Sequence, residues 1–291
     1  MEPFRDQIAV VTGGGSGMGR ELSLQLAAQG CHVALCDLRV EAATESVELC
    51  RAVAPPGTRV SGHGCDVSVE ADLVRFRDEV TAQHATDHLH LLFNNAGIGG
   101  GGGFVEGPRD EWETTFAVCW WGVYYGCRTF LPLLIAAPAA HLVNTASVNG
   151  FWASVGMSRP HTAYAAAKFA VKGFTEALIT DLRLHAPHVK ASVVMPGHIG
   201  TSIVENSGAV LGQPADPART EMSAYFRNNA PTTASQAATV ILDDVAAGRW
   251  RILVGEDAYA LDDLVRAHPE EAYDASFYAR LDERGLLPWA R

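Results

Sequence analysis

Lysine is nearly missing from this chain. Of its 22 basic residues only Lys168, Lys172 and Lys190 are lysines, leaving 19 arginines, so a lysine at a chemically suggestive spacing carries more weight here than in a lysine-rich protein. A basic stripe is missing too: the formal net charge is -11, and a nucleic-acid backbone needs clustered positive charge to bind. No run reaches the ~18 uninterrupted apolar residues of a membrane span, and the chain enters a strand-like segment at Gln7 with no room for a secretory leader. A cytoplasmic protein with neither nucleic acid nor membrane as partner is expected. The six cysteines (31, 36, 50, 65, 119 and 127) include no Cys-x-x-Cys pair and no histidine at zinc-like spacing, so neither a metal site nor a disulfide framework is expected. Internal repeats and domain linkers are likewise lacking.

What is present is ample core: 48% apolar against 19% charged residues over 291 suits one α/β domain with added loops. Seven strand-like segments alternate with helical patterns, at about residues 7–12, 31–36, 59–65, 90–93, 141–146, 189–195 and 250–254. That alternation implies one parallel sheet covered by helices on both faces, a Rossmann-like doubly wound α/β domain with ligand at the carboxyl ends of its strands. The domain is expected to span residues 1–255, with a mobile, substrate-closing loop containing short helices at about 202–230, followed by a 256–291 extension that packs on the domain or on a neighbouring subunit.

The first strand runs into Thr12-Gly13-Gly14-Gly15-Ser16-Gly17-Met18-Gly19 and then a helix. Strand, glycine turn and helix form a phosphate cradle, because glycines admit close backbone approach and the helix start supplies free N–H groups and a positive dipole. Asp37 closes the second strand, where a carboxylate accepts both hydroxyls of an adenosine ribose and repels a 2′-phosphate; this favours NAD over NADP, although Arg39 is near. Asp66, followed by Val67, either contacts the adenine or caps the next helix. Asn94 and Asn95, followed by Ala96-Gly97, have amides to tie neighbouring strands and small residues for a ligand to pass over. The five glycines Gly99 to Gly103 read as a spacer. The segment from about Arg109 to Leu134 reads as one long helix, apolar on more than one face.

Tyr164 and Lys168 are four apart and share a helix face, seventeen residues beyond Ser147. An ammonium beside a phenol favours the phenolate, so Lys168 is expected to lower the Tyr164 pKa towards a range useful for proton transfer. Phe151, Trp152 and Met157 lie between Ser147 and Tyr164 and are expected to line a hydrophobic pocket. Pro196-Gly197 ends the sixth strand, with Ile199 and Thr201 beyond it. His161 and His198 read as structural or pocket-lining rather than catalytic.

With these motifs in order, the chain resembles the short-chain dehydrogenase/reductase family over nearly its whole length. The carriers are Thr12-Gly-x-x-x-Gly17-x-Gly19, Asn94-Asn95-Ala96-Gly97, Ser147, Tyr164-x-x-x-Lys168 and Pro196-Gly197. The resemblance implies Tyr164 as general acid/base, Ser147 as hydrogen-bond donor to the substrate oxygen, and Lys168 as holder of the nicotinamide ribose. It also implies that Gly13, Ser16, Gly17, Met18 and Gly19 approach the pyrophosphate and that Asp37, Asp66 and Val67 serve the adenosine. Asn95, Ala96, Gly97, Pro196, Gly197, Ile199 and Thr201 then line the rest of the groove. The implied reaction is hydride transfer between NAD(H) and a secondary alcohol or ketone, here a bulky hydrophobic one, steroid-like or aromatic, in a homotetramer or dimer. Two departures stand out. Cys119 occupies the place of the family's usual helix asparagine, which motivates the alternative of a weakly active or inactive NAD(H)-binding regulatory or scaffolding protein. The Ser147 to Tyr164 spacing is also longer than the family's.

Overall fold

A computed structural model describes residues 3–157, 159–214 and 216–286. The first half of the chain alternates β1 (Ile8–Thr12), α1 (Gly17–Ala28), β2 (His32–Asp37), α2 (Val40–Val53), β3 (Val60–Gly64), α3 (Glu70–Gln83) and β4 (Leu91–Asn94). It continues through α4 (Arg109–Phe116), α5 (Gly122–Ala136), β5 (Ala140–Thr145), α6 (Thr162–His185) and β6 (Val189–Pro196). The last third holds β7 (Ile199–Gly200), α7 (Ile203–Val210), α8 (Pro217–Asn228), β8 (Thr232–Thr233), α9 (Ala234–Ala246), β9 (Arg251–Val254), α10 (Glu256–Ala267) and α11 (Ala275–Glu283).

Seven strands pair in the order β3-β2-β1-β4-β5-β6-β9, every pair parallel. A sheet covered on both faces needs apolar side chains on both, which is why β1 is buried along its whole length. Its alternation is still visible. Ile8 and Val10 join Phe76 of α3, Phe130 of α5 and Leu178 of α6 on one face, while Ala9 and Val11 join Leu26 of α1, Val47 of α2 and Ile241 of α9 on the other. The strand order reverses at β1, so a crevice opens between the carboxyl ends of β1 and β4.

One detail differs from the sequence expectation, and two fill it in. The long helix is interrupted at Ala117–Trp121 by a π turn and runs on to Ala136. The 202–230 segment is two helices, α7 and α8, closed at its base by a parallel β7–β8 pair, Ile199 to Thr232 and Gly200 to Thr233. The extension after residue 255 forms α10 and α11, whose Leu261, Leu264, Phe277 and Leu281 build a small core around Trp152; its end, Leu287-Pro288-Trp289 and the two residues beyond, lies outside the described residues.

Candidate active site

The crevice at the β1 and β4 ends is a cavity of about 250 Å³. Gly13 turns the chain at φ +67°, and a Cβ there would lie 2.8 Å from Ala96 Cα, so only glycine lets the two loops touch. Thr12 holds the loops together: its Oγ1 accepts from the N–H groups of Asn95 (3.0 Å) and Ala96 (3.1 Å), and its carbonyl accepts from Asn95 Nδ2 (3.2 Å). Asn94 does the tying expected of it, donating to Asn144 Oδ1 at 2.9 Å, while Asn144 donates to Thr175 Oγ1 of α6 at 2.9 Å.

The walls of this cavity include Gly13, Ser16, Gly17 and Met18 of the glycine turn, together with Asp37, Asp66, Val67, Asn95, Ala96, Gly97 and Thr201. Gly19 does not belong with them. A Cβ at Gly19 would overlap the Gly13 carbonyl and stand 2.6 Å from Asn95 Nδ2, so the missing side chain serves close packing of α1 against the turn. Asp37 braces the turn through its carboxylate, accepting from Gly15 N and Arg39 N at 3.0 Å each. Asp66 accepts from Ser68 N (2.9 Å) and Ser68 Oγ (2.6 Å), and the N-cap of α3 is Val69, so the capping alternative for Asp66 falls away.

A second, larger cavity of about 460 Å³ adjoins the first, sharing Met18, Asn95, Gly97, Thr201 and Ile203 as wall. Ser147, Tyr164 and Lys168 meet on it, as do Pro196, Gly197 and Ile199. Because α6 starts at Thr162, Tyr164 sits in its first turn and Lys168 one turn deeper, with Nζ 5.4 Å from the phenol ring centre. Lys168 is buried and donates to the Thr145 carbonyl at 2.9 Å. Burial pushes the Tyr164 phenol up and neighbouring Cys119 adds to this, while the Ser147 hydroxyl facing it pulls down. The expected depression by Lys168 is therefore not the net effect. Enclosure sets the direction, and the Lys168 ammonium is itself pulled down by burial. Cys119, inside the π turn, donates to the Ile98 carbonyl at 3.2 Å and is fully buried.

Of the three residues expected to line the pocket, Trp152 alone lines this cavity. It is fixed from far away in sequence: its Nε1 donates to the Ala272 carbonyl at 2.7 Å, and its ring stands 5.9 Å from Phe277 and 5.8 Å from Tyr278. Phe151 instead packs against the cores on either side, and Met157 is 67% exposed. Short spacing within a loop cannot tell which of three apolar residues turns inward when the surface that receives it lies more than a hundred residues on.

Both histidines reach the larger cavity. The His161 ring lies 4.6 Å from that of Tyr164, and His198 stands 4.0 Å from the Phe226 ring with Nε2 2.6 Å from the Phe226 carbonyl. Asp257 escaped sequence reasoning. Carried by the first turn of α10, it lines the cavity beside Gly197 and accepts from His198 N at 2.6 Å, and no spacing relates it to the motifs. Asn206 and Ser207 of α7 escaped as well. Asn206 donates to Ser16 Oγ (3.1 Å) and Ser207 Oγ accepts from Gly99 N (2.8 Å), so the segment expected to be mobile is tied to both the glycine turn and the glycine spacer.

A model of the family described as short chain dehydrogenase matches residues 7–210. The "Putative oxidoreductase SadH" of Mycobacterium tuberculosis is 35% identical over 294 aligned positions that cover the whole of both chains. The epidermal retinol dehydrogenase 2 of Mus musculus is 34% identical over 200 residues, covering 68% of this chain and 62% of its own. Among solved structures, a short-chain dehydrogenase/reductase from Burkholderia phymatum in complex with NAD superposes with a TM-score of 0.81 at 32% identity, covering 93% of this chain and 96% of its own. A metagenomic short-chain oxidoreductase in complex with NADP does so with a TM-score of 0.66 at 25% identity, covering 87% and 98%. With most of its length matched in sequence and its strand order built around the β1–β4 crevice, this chain belongs to the short-chain dehydrogenase/reductase family of oxidoreductases.

Proposed function

We propose that the protein is an NAD-dependent dehydrogenase/reductase acting on a secondary alcohol or the matching ketone with a bulky hydrophobic body. The observation that carries this is the meeting of Ser147, Tyr164 and Lys168 on the wall where the dinucleotide crevice opens into the larger, mostly apolar cavity. The residues suit a nicotinamide dinucleotide. The glycine turn brings bare backbone to the start of α1, where Ser16 is the N-cap, Asn95 Oδ1 is buried with no partner among the described residues, and Asp37 and Asp66 line the same crevice. Gly13, Ser16, Gly17 and Met18 would hold the pyrophosphate, Asp37 and Asp66 with Val67 the adenosine, and Lys168 the second ribose. Asn95, Ala96, Gly97, Pro196, Gly197, Ile199 and Thr201 would line the path of the nicotinamide half.

Bound there, the nicotinamide supplies the hydride acceptor or donor and, when oxidised, a positive ring that favours a phenolate nearby. Ser147 donates a hydrogen bond to the substrate oxygen and stabilises the charge that grows on it. Tyr164 takes the hydroxyl proton in oxidation and returns one in reduction. Lys168, anchored on the Thr145 carbonyl, keeps a positive charge beneath the phenol. NAD is favoured over NADP because the Asp37 carboxylate would face a 2′-phosphate across a short distance, with Arg39 as the opposing influence.

The same reading divides the chain into a Rossmann-fold domain at 1–255 and an extension at 256–291 that completes the pocket through Asp257 and Leu261. It places the protein in the cytoplasm, supported by six buried, unpaired cysteines and by the lack, among the described residues, of any helix long and apolar enough to cross a membrane. A homotetramer or dimer is supported by Trp121 on α5's approach, 40% exposed beside Tyr124 and Tyr125, and by Phe169 on α6, 42% exposed; sedimentation of a monomer at micromolar concentration would contradict it. One observation favours the alternative of a weakly active NAD(H)-binding regulator. The Cys119 thiol is already engaged with the Ile98 carbonyl and holds nothing for a relay to Lys168. Titration with NADH and NADPH by fluorescence, followed by NAD reduction across aliphatic, aromatic and steroidal alcohols, separates the two. The proposal expects tighter NADH binding and turnover with a bulky alcohol, whereas binding without turnover on any of them would favour the regulator.

A further inference from the structure

His161 is the first residue before α6 and occupies its N-cap, a position that Ser, Thr, Asp or Asn serves best. Its side chain makes no capping hydrogen bond. Instead the imidazole lies against the Tyr164 phenol, ring centres 4.6 Å apart and planes inclined by 36°, on the wall of the larger cavity. Neither ring nitrogen meets a hydrogen-bonding group of the protein among the described residues. Among the other polar groups of this wall, Asn149 Nδ2 donates to the carbonyls of Trp152 and Ser154 and Lys168 to that of Thr145, while Asp257 accepts from His198 N through one carboxylate oxygen and leaves Oδ1 without a partner among the described residues; Arg159 lines the wall as well. A polar ring that is mostly enclosed and points no donor or acceptor at protein is completed by what enters the cavity. Burial holds the imidazole down to about 4, so near neutral pH it is uncharged and offers one N–H donor and one nitrogen acceptor.

We infer that His161 is a specificity-determining residue that hydrogen-bonds a second oxygen of the substrate, carried one or two carbons from the reacting carbon, so that the preferred substrates are hydrophobic vicinal diols, hydroxyketones or diones rather than simple alcohols and ketones. The inference rests on the proposed alcohol/ketone chemistry. Its geometry follows from the stack. A substrate oxygen held by Ser147 and Tyr164 lies at the phenol's edge, and the imidazole packed on the phenol ring is within reach of the next carbons along. An uncharged donor–acceptor pair suits a hydroxyl or carbonyl.

The test uses a pair of equal size, 2-hydroxyacetophenone and propiophenone, which differ by a hydroxyl in place of a methyl. Wild-type protein with NADH should favour the hydroxyketone in kcat/KM by about tenfold or more, because an unmet polar group in the site penalises the methyl analogue. In His161→Phe, which keeps an aromatic ring on Tyr164, that ratio should fall to about one. His161→Gln, with a donor and an acceptor of its own, should recover a preference of about threefold or more. Because each ratio is taken within one variant, general damage to folding or chemistry cancels. A wild-type ratio near one, or a preference that survives in His161→Phe, would overturn the inference and leave His161 as a support for the Tyr164 ring. Should neither ketone be reduced, the oxidoreductase proposal fails separately, and the ratio of the two ketones' Kd values in the presence of NADH, read by calorimetry, decides His161 on the same criterion.

Discussion

Over the ends of β1 and β4 the groove is shaped by close backbone packing: Gly13 against Ala96, Gly19 behind the turn against the Gly13 carbonyl, and Thr12 bonded to the amides of the opposite loop. Over the ends of β5 and β6 it is shaped by side chains recruited from afar, with Trp152 bonded to Ala272 and Asp257 to His198. The first arrangement tolerates no added atom, because a Cβ has nowhere to go. The second tolerates change in shape as long as its core is filled. The difference matches the tasks proposed for them, one end holding a cofactor of fixed shape and the other a substrate that the surrounding helices define.

If that contrast is right, substitutions should separate by the quantity they damage. The largest effect on cofactor binding is expected at Gly19→Ala. The added methyl must push the glycine turn away from Asn95, costing about 1–3 kcal/mol of stability and weakening NADH binding on the order of a hundredfold, as fluorescence titration and thermal melts would show. Trp152→Ala should do the reverse. Emptying the core shared with Phe277 and Leu261 costs about 3–5 kcal/mol, raises KM for bulky substrates and leaves the NADH Kd within about threefold. Asp37→Ala should leave substrate KM alone and shift the NADH to NADPH affinity ratio by about tenfold, since a carboxylate facing a 2′-phosphate is worth about that much.

The smallest effect is expected from pH, which acts on the sheet beneath both regions. Burial holds His84 and His141 down to about 4 from an ordinary 6.5. Above about pH 6.5 both states are neutral and their contribution to stability is whole. As pH falls from there towards about 4 the unfolded chain takes protons that the folded one refuses, and stability is lost. Melts between about pH 7.5 and 5 should fall by several degrees, and His84→Gln should flatten the slope. His141, bonded through Nε2 to Ser192 Oγ at 2.6 Å, and His161, also held down to about 4 by burial, should carry most of the remainder.

The same contrast explains what could be read from the chain alone. Strand and helix positions, the glycine turn, Asp37, the Asn94 ties and the Ser147, Tyr164 and Lys168 set all rest on short-range spacing, which a sequence displays directly. Gly19 shows the limit even there, since a glycine kept for packing and one kept for a ligand look alike until the neighbour is known. The π turn at Cys119 and the inward turn of Trp152, but not of Phe151 or Met157, depend on surfaces supplied by other elements. Asp257 depends on them entirely, because it belongs to the site only once α10 lies against the turn after β6. The raised Tyr164 phenol is a further case: a Tyr–Lys spacing reports that the two side chains meet, while the degree of enclosure that reverses the net shift is a property of the assembled fold.

Tyr164→Phe removes one oxygen from the place where the groove's two ends meet, so it tests the proposed chemistry most directly. With NAD and a bulky secondary alcohol that the wild type oxidises, the substitution should lower kcat by about a thousandfold or more while the NADH Kd stays within about threefold. Turnover retained within about tenfold of wild type would contradict the assignment of the proton-transfer step to Tyr164.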